Sequence, residues 1–122
     1  MREKINVIGT ETTNENELNL LVSNVGSYDS LKPMGQMLVD SDEVSFVYLL
    51  EKETEYTYVI INEDNWQKLK WAIENNAIIS LSNGSDKIEL VDFLDELNYL
   101  IENIKGNSNY GEAMVTKVEA IF

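Results

Sequence analysis

The chain contains no cysteine and no histidine. Without cysteine there is no disulfide, no thiolate nucleophile and no Cys-ligated zinc or iron–sulfur site, in agreement with a reducing compartment. The missing histidine excludes more, because imidazole is the usual general base near neutral pH and the commonest metal ligand. Ser/His/Asp and Cys/His machinery is ruled out. Proline occurs once, as Pro33. No solenoid-like repeat and no low-complexity stretch interrupts the chain, so nothing marks a linker between domains. No apolar run approaches the length of a bilayer span, and the opening residues Met1 to Ile5 carry both signs of charge where a signal peptide would be apolar. A cytoplasmic protein is expected. Basic residues are also scarce: nine stand against twenty-two acidic ones, for a formal charge of −13. Such a balance repels phosphate backbones and anionic lipid alike, so neither direct nucleic-acid binding nor membrane binding is expected.

What is present suits one folded unit. A chain of 122 residues, 43% hydrophobic and 25% charged, can bury roughly two-thirds of its unfolded surface. A single α+β domain over 1–122 is predicted. Residues 3–10 alternate in polarity (Ile5, Val7), as do 17–23 (Leu18, Leu20, Val22), which predicts a first hairpin across a polar connection. Residues 26–35, with Tyr28, Pro33 and two flanking glycines, have no period and predict a loop. Segments 44–50 and 56–61 are rich in β-branched and aromatic residues around a short charged turn, which predicts a second hairpin at the centre of the sheet.

Asn62, Glu63 and Asp64 then supply a cap and first-turn acids for a helix over about 63–75 carrying Trp66, Leu69 and Ile73 on one side. A third hairpin, 77–81 with 87–90, is expected to turn tightly at Asn83-Gly84. Asp92 is the expected cap of a second helix with Phe93, Leu97, Leu100 and Ile104 inward, and Gly106 its left-handed stop. Asn109, with Glu112 three residues on, predicts the start of a last helix bearing Met114 and Val118. The order ββ-ββ-α-ββ-αα implies one largely antiparallel sheet of about six strands, three hairpins, with three helices on a face.

The densest acidic cluster is Asp40-Ser41-Asp42-Glu43. On an extended backbone Asp40 and Asp42 project from one side and could share a hard cation, although the ligands and glycine of an EF-hand loop are missing and a solvated turn is the plainer reading. No cofactor is predicted. The amide-rich connection 103–111 could present backbone N–H groups to an anion, but it lacks a phosphate-cradle motif and reads more simply as a helix stop and start. Asp92, Asp95, Glu96 and Tyr99 share one side of the second helix, a solvated face that could equally dock a partner. Trp66 and Trp71 cannot both point inward, so one of them is expected to be exposed. With Tyr110, these residues are the candidate contacts for an unidentified protein partner.

Met37-Leu-Val-Asp-Ser-Asp42, the stretch from Tyr58 to Trp66, and Asn103 through Glu112 resemble an uncharacterised family of small proteins from Bacillus, Staphylococcus and relatives. The similarity runs from about residue 35 to 118. It implies a small bacterial cytoplasmic protein and carries over no catalytic or binding residue. The expectation is therefore a non-enzymatic protein-binding adaptor or regulatory module. Two alternatives stand beside it: an acidic inhibitor that imitates nucleic acid in a basic cleft, and a carboxylate- or magnesium-dependent enzyme using Asp40 and Asp42.

Overall fold

The computed structural model describes residues 3–23 and 30–122. Within them the chain forms β1 (Glu3–Asn6), β2 (Gly9–Thr12), β3 (Glu17–Leu21), β4 (Leu31–Asp40), β5 (Ser45–Lys52), β6 (Glu55–Asn62), α1 (Trp66–Asn75), β7 (Ile78–Ser82), β8 (Lys87–Glu89), α2 (Phe93–Ile104) and α3 (Glu112–Ile121). Short 3-10 turns at Glu63–Asn65 and Ser108–Tyr110 lead into α1 and α3. The α+β class and the three helices are as expected from the sequence. The single antiparallel sheet is not: eight strands make two mixed sheets, ordered β1-β6-β5-β4 and β2-β3-β7-β8.

The first sheet grows around the β5–β6 hairpin, which pairs from Ser45↔Asn62 to Lys52↔Glu55 and turns through Glu53 in the left-handed region. This is the hairpin the sequence places at the centre, and its two strands are the inner ones. The first expected hairpin divides instead between sheets. Val7 donates its amide to Ile60 O at 2.9 Å, and the next residue, Ile8, donates to Leu21 O at 2.8 Å. Consecutive amides thus bond to different sheets, so β1 runs parallel to β6 while β2 pairs with β3. A strand that changes sheet at a bend in this way makes the corner between two packed layers.

The expected loop over 26–35 falls partly on residues outside those described, Gly26 and Tyr28 among them, but 31–35 belong to β4. Pro33 faces Leu50 and Met37 faces Tyr48, so three residues of β4 oppose one of β5. Gly35, at φ +64°, absorbs the bulge. Proline, a bulge and the exposed Lys32 on an edge strand are features that discourage pairing with another chain.

Three local expectations are corrected by side-chain chemistry. Asn83-Gly84 is not a two-residue turn: the ladder closes at Ser82↔Lys87, and Asn83 Oδ1 accepts from the amides of Ser85 (2.9 Å) and Asp86 (2.7 Å). Asp92 does not cap α2 with its side chain; it sits at φ 59° and offers its backbone oxygen to Glu96 N at 3.0 Å. Asn109 is not a cap either, because Asn107 Oδ1 accepts from Asn109 N at 3.1 Å and α3 begins after Gly111. Asn62 and Gly106 behave as expected, the former accepting from Asp64 N at 3.1 Å and the latter at φ +71°.

Buried side chains from both sheets and all three helices form one cluster. Trp66 lies with its ring centre 4.9 Å from Phe46 and 5.8 Å from Phe122, and its indole N–H donates to Ile61 O at 3.2 Å. Tyr48 stacks on Phe93 at 5.6 Å. Each such large side chain contributes roughly 1.5–3 kcal/mol by leaving water. The Tyr48 hydroxyl also donates to Val91 O at 2.6 Å and accepts from Gly35 N at 3.1 Å, tying the β4 bulge to the entry of α2. Burial, with smaller contributions from nearby Asp92, Glu96 and Glu89, pushes the phenol up to about 12.

Candidate functional site

Phe46, Tyr48 and Leu50 alternate inward along β5, so Ser45, Val47 and Leu49 must project from the other side of the sheet. The register sets Asn6, Ile60, Val47 and Leu38 in one row across β1, β6, β5 and β4, and Lys4, Tyr58 and Leu49 in the next. Val47 and Leu49 are buried yet stand apart from the core cluster. The helices take the opposite side, where Trp66 and Phe93 pack on Phe46 and Tyr48. Leu38 remains 49% exposed.

This outer side holds two adjoining grooves that share Lys4, Asp40 and Ile60. One, of about 440 Å³, has Leu38, Val47, Tyr58 and Ile60 in its walls with Asp40 and Asp42 at its end. The other, of about 450 Å³, continues past Ser45 and Asn62 to Glu43, Glu63 and Asp64. Among the described residues lining them Lys4 is the one cation, against five carboxylates. Lys117 offsets part of that charge through its ion pair with Glu63 at 3.3 Å. The result is a shallow, open depression, apolar over the strands and acidic where the β4–β5 turn meets the start of α1.

Asp40 and Asp42 both border the first groove, Asp40 as the last residue of β4 and Asp42 in the turn that follows. Residues 41–44 form the turn between β4 and β5, with Val44 at φ 48°, and Asp40 Oδ1 accepts from Glu43 N at 3.2 Å. Asp40 is thereby occupied in shaping the turn. Among the described residues no three carboxylates converge as a metal-binding group.

Of the other predicted contacts, α2 brings Asp92, Asp95, Glu96 and Tyr99 onto one side, with Tyr99 67% exposed. Trp66 is wholly buried and Trp71 half-buried, so neither tryptophan is the exposed one expected; the rings of Phe46 and Phe122 enclose Trp66. Tyr110 is half-buried beyond the far end of α2. In the 103–111 connection Gly106 N donates to Glu119 Oε2 at 2.8 Å, so the chain's own carboxylate already occupies that donor. The groove residues Leu38, Val47, Tyr58 and Ile60 were not distinguishable in the sequence, because strands apolar on both sides read as fully buried.

On the second sheet Glu17 bonds Lys87 Nζ at 2.8 Å and Ser80 Oγ at 3.0 Å. The lysine bond, more than the serine bond, holds the Glu17 carboxyl below its usual value against a desolvation cost, and Lys87 is raised in return.

The architecture is that of an α+β protein with two mixed sheets and no helix, among the described residues, long and apolar enough to cross a membrane. Residues 5–122 match UPF0738, a family of unknown function, and the chain belongs to that family. It is 43% identical to the UPF0738 protein YjbL of Bacillus subtilis over 122 residues, all of this chain and 99% of that protein. It is equally similar, over the same span, to a UPF0738 protein of Bacillus licheniformis. A Geobacillus member is 43% identical over 96 residues, covering 79% of this chain and 77% of its own. The bacterial family anticipated from the sequence is thus the right one, and these relatives assign it no specific activity. No solved structure matches the chain.

Proposed function

We propose that the protein is a cytoplasmic, non-enzymatic protein-binding module, an adaptor or regulator, whose contact surface is the outer side of the first sheet. The observation that carries this is the placement of Leu38, Tyr58 and Ile60, beside Val47, on the side opposite the helices. Apolar side chains grouped on an open sheet face gain most from being covered by another surface. The concave, open shape suits a chain segment better than an enclosed small molecule, whose pockets bury most of the ligand.

Tyr99 on the acidic side of α2 supports a second contact point, since tyrosine is enriched at interfaces. A photo-crosslinking residue placed at position 38, and separately at 99, in the protein expressed in a Bacillus host tests both. The expected result is one stoichiometric protein adduct from position 38 that is weakened in Ile60→Thr, which removes apolar surface from the groove wall but keeps a β-branched strand residue. Adducts from 99 alone would move the interface to α2. None from either position would overturn the module reading.

A further inference from the structure

The acidic end of the groove decides what kind of segment it receives. Five carboxylates, Asp40, Asp42, Glu43, Glu63 and Asp64, border an apolar floor on which Lys4 is the one cation among the described lining residues. A second copy of this chain is a poor occupant: each copy carries a formal charge of −13, and face-to-face pairing would set carboxylates against carboxylates. An acidic or purely apolar segment would leave the acidic border desolvated without a counter-charge.

We infer that the groove receives an extended, basic and apolar segment of a partner protein, with Lys or Arg side chains among Asp40, Asp42, Glu43 and Asp64 and aliphatic side chains on Leu38, Val47 and Ile60. This rests on the docking reading above and adds the chemistry of the partner. The two contributions divide the work. The apolar floor supplies most of the affinity, and the carboxylates select the sign of the partner and speed its encounter. Salt weakens the second contribution and leaves the first nearly unchanged.

The test titrates the full chain, isotope-labelled for amide NMR, with four synthetic peptides of equal length: alternating Lys/Val, Glu/Val, Ser/Val and Lys/Ser. The Lys/Val peptide is expected to bind most tightly and to shift the amides of 38–47 and 58–64. Its Kd rises roughly fivefold in the Asp42→Asn, Asp64→Asn double variant, as for a pair of partly screened charges. Both side chains are exposed, and the turn and the helix cap are held by Asp40 and Asn62 instead, so the variant keeps its fold. Equal binding of the Glu/Val peptide, equal binding of Lys/Ser, an unchanged Kd in the double variant, or shifts confined to other surfaces would each overturn the inference. Failure of the docking reading is separate, showing as no adduct from position 38. An adduct whose crosslinked peptide lacks Lys and Arg near the attachment point would keep the docking reading and sink this one.

Discussion

Gly35 and Asp92 approach so closely that a Cβ on the glycine would stand 2.9 Å from Asp92 Oδ2. Both residues are left-handed, at φ 64° and 59°, and both lie where the Tyr48 hydroxyl joins β4 to α2. Gly35→Ala therefore meets backbone strain and a clash together, and is expected to lower stability by about 1–3 kcal/mol. Asp92→Gly removes the obstructing carboxylate at a position that favours glycine. The double variant should then lose less than the sum of the two single changes, by roughly 1 kcal/mol in a urea-denaturation cycle. Simple additivity would show that the two residues do not share this strain.

Tyr48 makes a second case in the alkaline range. Its folded phenol titrates at about 12, above the unfolded value of about 10. A raised acid favours its protonated form, so the contribution is complete below the unfolded value and disappears as pH rises through the folded one. Absorbance titration should show a late tyrosine ionisation that Tyr48→Phe removes, and stability should fall between those two values. Tyr48→Phe should flatten that fall, while leaving Val91 O and Gly35 N short of a partner at a cost of about 1–3 kcal/mol.

Acid should act through Glu17. Its carboxyl is held low, chiefly by Lys87, so the stability it adds is present above the ordinary carboxylate value and is lost as pH falls through the lower, folded one. The loss lies below the unfolded carboxylate value of about 4.3. Urea midpoints measured down the acid limb should fall less steeply in Glu17→Gln than in the parent, and the same slope in both would remove Glu17 from the account.

The start of α3 separates two asparagines that look alike in sequence. Asn107 accepts from the amide of Asn109, so Asn107→Ala should cost about 1 kcal/mol. Asn109→Ala, which removes no cap, should stay within about 0.5 kcal/mol. A reversal in thermal melting would restore the cap to Asn109.

Local pattern was readable where one physical effect dominates. The 45–62 hairpin, the Asn62 cap and the Gly106 stop each follow from period, side-chain acceptor or left-handed backbone alone. What was not readable depends on partners distant in the chain. Pro33 and Gly35 look like a loop until Tyr48 and Asp92 are set beside them. Nothing local to Val7 and Ile8 says that their amides serve different sheets. The candidate site divides the same way: the acids of 40–43 stand out as a cluster, while Leu38 and Ile60 look like any strand residue until the helices are seen to take the other side.

The strand that turns the corner between sheets also fixes an order of events during synthesis. Glu3 pairs in parallel with Thr57, and Glu17 in parallel with Ile78. β1 must therefore wait for β6, and β3 for β7, before either gains its parallel neighbour. Before then the β2–β3 and β4–β5 hairpins can close on near neighbours, while Ile5 and Val7 lack the strand they pair against. Such distant pairing slows folding and prolongs exposure of apolar strands, an exposure that ends once β6 and β7 are in place.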